Sequence, residues 1–212
     1  MPLKTRLVLV GAGGFGREVL CWLEQSHGDI AAGGKLGFLD TGPDALDRED
    51  YPAEYLGSID DFVPRASDTL VMAIGDPAAK RRVAELLVQR GGRFAPVIHR
   101  SAVIARTASI EDGAVICPLA LISANVRIER FAAINVMSSV GHDTVVGAYA
   151  TLSSHVDLTG NVVVGEQCFF GSGARVLPRT KIGACARIGA GAVIMRNVRA
   201  GATMYAPPAR RL

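Results

Sequence analysis

The feature that most constrains this chain is a repeat of six residues, which runs without a break from Ile104 to Val198. Every sixth residue from Ile104 to Ile194 is large and apolar, and the residue four places after each is Ala, Ser, Thr, Val or Cys. An α-helix repeats about every 3.6 residues and a strand about every two, so neither keeps this register. Six residues make one short strand and one corner, and such a unit buries its apolar face only by stacking on the next. The repeat therefore predicts a prism of stacked coils.

Glycine marks the corners of this predicted prism. Six glycines directly follow the large apolar residue of their hexads, at Gly141, Gly147, Gly165, Gly171, Gly183 and Gly189. Glycine adopts a positive φ at little cost, and tight corners often require such a backbone. We expect the positive φ of the corners to fall on these glycines.

The hexads match the pattern [LIV]-[GAED]-x-x-[STAV]-x almost throughout residues 104–199, and in this they resemble the hexapeptide-repeat acyltransferases. The resemblance implies a left-handed parallel β-helix with three hexads in each coil, so that residues eighteen apart stack. It also implies a homotrimer, with acyl transfer in the clefts between neighbouring subunits. A non-catalytic β-helix, or a metal-dependent trimer of the carbonic-anhydrase type, stays open as an alternative.

Residues 1–98 have a different pattern, in which apolar runs alternate with helical stretches. The strand-like runs are Arg6–Val10, Lys35–Asp40, Thr69–Asp76 and Phe94–Ile98, and the helical stretches end near Gln25 and Arg90. This alternation predicts a small Rossmann-like α/β domain with a parallel sheet. The chain should therefore divide into a nucleotide-sugar-binding domain at 1–98 and a β-helix with a C-terminal tail at 99–212.

A glycine-rich turn lies between the first predicted strand and the first predicted helix. Gly11, Gly13 and Gly16 spell GxGxxG there, and Gly14 lies between them. Such a turn lets a phosphate approach backbone N–H groups at a helix N-terminus. Asp40 ends the second strand, where it could accept a hydrogen bond from a ribose hydroxyl. An NAD-dependent enzyme, or a helix-packing turn without a ligand, stays open, but about 98 residues suit a mononucleotide half better than a complete dinucleotide fold.

Gly75 and Asp76 end the third predicted strand, on the same carboxyl edge of the sheet. Open α/β sheets bind ligands at that edge, which makes both residues candidates for substrate contact. Asp76 could equally cap the helix that begins at Pro77.

The order of the two domains makes the whole chain similar to the sugar acyltransferases of the sialic-acid O-acetyltransferase group. Within that group it most resembles the N-acetyltransferases of nucleotide-linked 4-amino-4,6-dideoxy sugars. The resemblance implies that the N-terminal domain holds the nucleotide-linked sugar and that the β-helix holds acetyl-CoA, for surface glycan synthesis. O-acetylation of a sugar hydroxyl is the alternative that the sequence separates poorly from N-acetylation.

His142 is an outward residue two places after Val140, beside an acid and a corner glycine. The stretch from Asn135 to Gly147 matches the segment that carries the catalytic histidine in the resembling enzymes. The resemblance implies that His142 is the general base, a role that suits a neutral imidazole near pH 7. It also implies that Asp143 strengthens or orients this base, which requires a corner, because adjacent residues of a flat strand face opposite sides. Asn135 is the implied contact to the acceptor amine.

The cofactor residues follow from the same resemblance. Gly160 lies eighteen residues after His142, so it should stack beside it and offer its N–H to the thioester oxyanion. Thr151 occupies a position where some relatives carry a second histidine that meets the acetyl group, and its hydroxyl could donate a hydrogen bond there. The remaining candidates for contact with the coenzyme are Gly171, Ser172, Ala190 and Arg210.

Composition disfavours several other classes of protein. The formal net charge is only +3 and the basic residues are scattered, which disfavours nucleic-acid binding. No run of eighteen apolar residues occurs, so we expect no membrane span. The four cysteines form no CxxC motif and are typical of a reduced, cytoplasmic protein. Only His142 and His155 take outward positions in the β-helix, so no metal site of three histidines is expected within one subunit.

Overall fold

The computed structural model describes residues 6–26, 36–46 and 51–207. The N-terminal domain contains a parallel sheet in the strand order β3-β2-β1-β4, flanked by two helices. The strands are β1 (Arg6–Val10), β2 (Leu36–Leu39), β3 (Glu54–Tyr55) and β4 (Asp68–Met72). The helices are α1 (Gly14–Ser26) and α2 (Pro77–Gln89), and a short 3₁₀ turn (Pro43–Leu46) follows β2.

The predicted strand Phe94–Ile98 does not exist as one element. Phe94 makes a single bridge to Leu70 of the α/β sheet, whereas Val97–Ile98 pairs with Val115–Ile116 as the first strand of the next domain. A short apolar run at a domain boundary carries no signal that tells which sheet it will join. The two-residue strand β3 was not predicted, because it is too short to show a period.

Residues 97–204 form a left-handed parallel β-helix with three faces, as predicted. Paired strands are eighteen residues apart, as in the pairs Ala133–Thr151 and Ala133–Val115, except that the last strand, Thr203–Met204, lies sixteen residues after its partner Arg187–Ile188. The strands of the first face are Val97–Ile98, Val115–Ile116, Ala133–Ile134, Thr151–Leu152, Phe169–Phe170, Arg187–Ile188 and Thr203–Met204. Those of the second face are Val103–Ile104, Leu121–Ile122, Ser139–Val140, Asp157–Leu158, Arg175–Val176 and Val193–Ile194. Those of the third face are Ser109–Ile110, Arg127–Ile128, Val145–Val146, Val163–Val164 and Lys181–Ile182.

The inner columns of the prism account for its stability. The large apolar residue of each hexad points inward, and Ile134, Leu152 and Phe170 stack on the first face with no exposed surface. Small residues such as Ala132 and Ala150 are also fully buried beside them. Because burial of one such large side chain contributes roughly 1.5–3 kcal/mol, the stacked columns outweigh the cost of ordering short strands that could not fold singly.

Glycine is required at the corners for a different reason from the one that the sequence suggests. Positive φ falls on the third residue after the large apolar one, as at Asp143 (+57°) and His155 (+61°), and not on the glycines that directly follow it. A Cβ on Gly141 would lie 2.5 Å from the backbone carbon of Thr159, and a Cβ on Gly171 would lie 2.5 Å from the backbone nitrogen of Ala190. Glycine is therefore required where successive coils approach closely.

The α/β domain packs on the outer side of the first face. Val115 and Ala133 of that face share one buried cluster with Leu20 of α1, and Tyr149 shares another with Leu87 of α2. His99 joins the two domains through a 3.0 Å contact between its Nε2 and Oε1 of Gln25. Neither helix of the described segments is long and apolar enough to traverse a lipid bilayer.

Candidate active site

His142 and Asp143 form a pair at the corner between the second and third faces. Asp143 adopts a φ of +57°, and this left-handed turn brings its Oδ2 to 2.7 Å from His142 Nδ1. The other oxygen, Oδ1, accepts a hydrogen bond of 3.0 Å from Nδ2 of Asn125. The bonds from Asn125 and then His142 lower the pKa of Asp143, which keeps the carboxylate ionised. An ionised carboxylate only accepts, so Nδ1 carries the hydrogen and Nε2 is left as the basic nitrogen.

Gly160 lies against the imidazole ring, eighteen residues along the chain. A Cβ on Gly160 would be 2.5 Å from Nε2 and 2.6 Å from Cε1 of His142, so only glycine leaves room for this ring position. The N–H of the following Asn161 donates to the carbonyl oxygen of His142 at 2.8 Å, which fixes the two coils against each other. The N–H of Gly160 itself donates to no other residue in the described segments. It is a free donor beside the basic nitrogen.

Thr151 is not available for the contact expected of it. Its side chain is buried between the two domains, where Oγ1 donates to the carbonyl oxygen of Gly75 at 2.7 Å. The same Oγ1 accepts a hydrogen bond of 2.8 Å from Nζ of Lys80. With its hydrogen given to Gly75, the hydroxyl cannot also donate to an acetyl group. The hydroxyl serves the joint between the domains, and a single sequence does not reveal which face a partner domain will cover.

The other β-helix candidates lie at the corner between the first and second faces. Asn135 and Gly171 are two coils apart there in the same column, and Ser172 and Ala190 are exposed on successive coils beside them. Oδ1 of Asn135 accepts the N–H of Val136 at 2.7 Å, so its amide nitrogen is the group left for a ligand. Arg210 lies outside the described residues.

The glycine-rich turn combines tight packing with an open surface. A Cβ on Gly16 would lie 2.2 Å from the carbonyl oxygen of Gly11, and Gly11 itself has a φ of +95°. Around Gly13, by contrast, a Cβ would meet nothing within 4 Å, so a ligand can reach this part of the backbone. Gly14 and Arg17 are among the residues that line a cavity of about 540 Å³ beside this turn.

The two aspartates at the carboxyl edge have structural partners. Asp40 Oδ2 accepts the N–H of Ala12 at 2.6 Å, so this carboxylate holds the glycine-rich turn in place. Asp76 caps α2 by accepting the N–H of Ala79 at 2.9 Å, which is the alternative that the sequence left open. Gly75 directs its carbonyl oxygen to Thr151. Contact of these residues with a substrate stays a prediction.

Lys80 was not predicted as a functional residue, yet it is the largest fully buried side chain of the described residues. Its Nζ donates to Thr151 Oγ1 at 2.8 Å and to the carbonyl oxygen of Ala150 at 3.2 Å. Burial lowers the pKa of Lys80 to about 7, although the charge of Asp76 opposes this shift. In the sequence it begins a run of three basic residues, which is the pattern of a solvated surface.

The buried lysine makes the stability of the protein depend on pH. Its folded pKa is about 7 and its ordinary value 10.5, so between these values the unfolded chain binds one more proton than the folded one. We therefore expect the free energy of unfolding to rise with pH above about 7, by at most about 1.4 kcal/mol per pH unit. Below pH about 7 both states are protonated, and the full cost of the buried charge is present.

The measurement is urea unfolding of the wild type and of Lys80→Met at pH 6 to 9 and fixed protein concentration. The difference between them should be constant up to about pH 7 and then increase in favour of the wild type. Arg82→Met, which replaces an exposed neighbour on the same helix, is the matched control and should give a difference independent of pH. A constant difference for Lys80→Met across the range would contradict the assignment.

No group of three or more histidine, cysteine, aspartate or glutamate side chains is arranged to hold a metal ion in the described segments. The candidate site offers three groups: a carboxylate-oriented imidazole, a free backbone N–H beside it, and an open glycine-rich turn on the other domain. A base and an oxyanion donor at one corner are the requirements of acyl transfer.

Two family models match separate parts of the chain. The PglD N-terminal domain matches residues 6–87, and the bacterial transferase hexapeptide (six repeats) matches residues 161–196. No curated protein sequence matches the chain.

Solved structures similar to this chain cover nearly all of it. The acetyltransferase domain of PglB from Neisseria gonorrhoeae is 26% identical, with a TM-score of 0.83, over 98% of this chain and 99% of that one. PerB from Caulobacter crescentus, in complex with CoA and GDP-perosamine, is 27% identical, with a TM-score of 0.82, over 97% and 96%. WeeI from Acinetobacter baumannii is 28% identical, with a TM-score of 0.84, over 98% and 100%.

Fold and repeats together define the class: the chain is an acyltransferase whose β-helix contains bacterial transferase hexapeptide repeats. Within that class it is of the type that joins a PglD N-terminal domain to the β-helix, and its structural neighbours include the perosamine N-acetyltransferase of Caulobacter crescentus.

Proposed function

We propose that this protein is an acetyl-CoA-dependent N-acetyltransferase of a nucleotide-linked 4-amino-4,6-dideoxy sugar, which acts as a cytoplasmic homotrimer in surface glycan synthesis. Residues 1–98 hold the nucleotide-linked sugar in this proposal, and residues 99–212 hold acetyl-CoA. The observation that carries it is the His142–Asp143 pair against Gly160, on a fold shared over nearly its whole length with a sugar N-acetyltransferase in complex with CoA and GDP-perosamine.

The proposed reaction uses each group of the pair. The sugar amine attacks the thioester carbonyl carbon while Nε2 of His142 takes a proton from the amine nitrogen. Asp143 holds Nδ1 and stabilises the imidazolium that forms. The N–H of Gly160 donates to the oxygen that becomes negative. The carbon–sulfur bond then breaks, and the thiolate of CoA leaves and takes the proton back from the imidazolium.

One chain does not bring these parts together, which supports a site between subunits. The α/β domain packs on the first face, whereas His142 lies at the opposite corner, between the second and third faces. The expected coenzyme residues Gly171, Ser172 and Ala190 lie at yet another corner. A neighbouring copy that presents its second face to this one supplies the missing groups.

Exposed apolar side chains support that association. Val103 and Leu121 follow one another on the second face, and Leu119 and Met137 lie at the corner beside them. All four are between 46% and 61% exposed in the isolated chain, a cluster that soluble monomers seldom leave uncovered.

The test is a panel of UDP-, GDP- and dTDP-linked 4-amino-4,6-dideoxy sugars, incubated with acetyl-CoA and followed by mass spectrometry. Matched sugars with a hydroxyl in place of the amine are the control. We expect a gain of one acetyl group on an amino sugar, in a linkage that withstands mild alkali as an amide does. Acetylation of the hydroxy sugars alone, in an alkali-labile linkage, would replace the proposal with O-acetyl transfer.

Mixed trimers test whether the site lies between chains. In this experiment His142→Ala removes the base from one chain, and Gly13→Asp places a negative charge where the phosphates should bind in another. If each site takes its base from one chain and its sugar domain from the next, every mixed trimer has one intact site in three. Random association at equal amounts should then give about a quarter of wild-type activity for the whole population, and about a third for the mixed trimers alone.

Differently tagged chains, co-expressed and purified through both tags, allow this measurement. Each variant alone should be inactive and should elute at the same size as the wild type. A mixture as inactive as its components would contradict a site shared between chains.

A further inference from the structure

A network of hydrogen bonds, which we call the interdomain strap, connects Lys80, Thr151 and Gly75. Lys80 Nζ donates to Thr151 Oγ1 at 2.8 Å, and Thr151 Oγ1 donates to the carbonyl oxygen of Gly75 at 2.7 Å. The strap therefore links two residues of the α/β domain, Lys80 and Gly75, through a single hydroxyl of the β-helix.

The strap is well anchored at both ends. Lys80 lies in the first turn of α2, where its backbone N–H donates to the carbonyl oxygen of Asp76 at 2.9 Å. Its Nζ also donates to the carbonyl oxygen of Ala150 at 3.2 Å. Thr151 is paired on the first face with Ala133 on one side and Phe169 on the other. Neither anchor can move without breaking secondary structure.

The cost of the strap indicates that it has a purpose beyond joining two surfaces. A buried ammonium group is expensive, and no carboxylate of the described segments forms an ion pair with Lys80. Apolar clusters already join the domains on both sides of it. A methionine would fill the same space at lower cost, so the choice of lysine needs a reason other than adhesion.

We propose that Lys80 and Thr151 are positioning residues that fix the Gly75–Asp76 segment, and so hold the nucleotide-sugar edge of the α/β domain at a set distance from the β-helix. The inference rests on the proposed function, since it assigns a role to that edge. Neither residue touches the substrate. Their effect passes through the carbonyl group of Gly75 and the start of α2.

The proposal predicts an effect on one substrate only. Thr151→Val removes both hydrogen bonds of the hydroxyl, and Lys80→Met removes the donor while it keeps the volume. Each should raise KM for the nucleotide-linked amino sugar, and Kd for the matching nucleoside diphosphate, about tenfold. KM for acetyl-CoA should stay within about twofold, because the strap contacts no coenzyme residue. The double variant should be no worse than the worse single one, since both break one network.

Two further variants separate positioning from general stability. Thr151→Ser keeps the hydroxyl and should restore wild-type KM. Gln25→Met breaks another side-chain bond between the domains, the one to His99, at the far end of α1, and should leave both KM values unchanged. A rise in KM for the nucleotide-linked sugar with Gln25→Met as large as with Lys80→Met would overturn the proposal, because any loosening of the joint would then have the same effect.

Calorimetric titration with UDP, GDP and dTDP keeps this test independent of catalysis, and circular dichroism shows that each variant is folded. A wild type that binds one diphosphate yet acetylates no sugar contradicts the proposed function alone. Wild-type Kd and KM values in both Thr151→Val and Lys80→Met overturn the strap alone.

Discussion

We expect His142→Asn to lower kcat for acetyl transfer by about 100-fold or more and to leave KM for both substrates within a few-fold. Asparagine retains a polar side chain of similar reach, but its amide cannot take a proton from the attacking amine near neutral pH. The residual rate comes from the other parts of the site, which still hold the two substrates together. The backbone bond of 2.8 Å from the N–H of Asn161 to the carbonyl oxygen of His142 does not depend on the side chain, so we expect the corner to stay ordered and the loss to be one of chemistry.

The measurement is steady-state kinetics on the amino sugar that the panel identifies, with the concentration of each substrate varied in turn. His155→Asn is the matched control, because His155 is an exposed histidine at another corner of the β-helix. It should keep wild-type kcat. If His142→Asn also keeps wild-type kcat, then His142 is not the general base, and the free N–H of Gly160 beside it needs a different role.

The fold could be predicted from sequence because its information is repeated. Each hexad places a large residue such as Ile134 inside and a small one such as Ser138 in the narrow angle, so sixteen copies give the same answer. The stacking of Gly160 on His142 follows from the same repeat, and the geometry agrees with it. A feature that depends on the spacing of the repeat can be predicted even where one hexad departs from the pattern.

Features set by a single contact could not be predicted. Thr151 has an outward position like other residues of its column, and only the docked α/β domain turns it into a buried partner of Gly75 and Lys80. Lys80 belongs to an amphipathic pattern that the neighbouring arginines hide. The sequence predicts positive φ at the corner glycines, whereas glycine is required there because successive coils approach closely, as at Gly141. Such contacts join residues that lie far apart or on separate coils, and no local pattern encodes them.

The contact between Asp143 and His142 stands between these two cases. Neighbouring residues of a flat strand face opposite sides, so the sequence predicts contact between these two side chains only if the chain turns a corner there. The corner does intervene, with its left-handed residue on Asp143 itself. Aspartate is among the residues that tolerate this backbone, which allows one residue both to form the turn and to hold the ring.

Gly160→Ala should lower kcat about 10- to 100-fold while the β-helix stays folded. The added Cβ would lie 2.5 Å from Nε2 of His142, so the ring has to move away from its present position. That movement separates the base from the N–H that we expect to bind the oxyanion, and it strains the bond to Asp143. The backbone of Gly160 does not have a positive φ, so alanine fits the chain conformation and only the ring is displaced.

Kinetics and urea unfolding of the same preparations distinguish a displaced ring from a damaged fold. Ala184→Ser adds one heavy atom at the equivalent place of the corner between the third and first faces, and it is the matched control, expected to keep both kcat and stability. A Gly160→Ala variant with wild-type kcat would mean that the imidazole works equally well from a second position. The close contact of His142 with Gly160 would then concern packing of the coils, and the placement of the ring against the N–H of residue 160 would not limit catalysis.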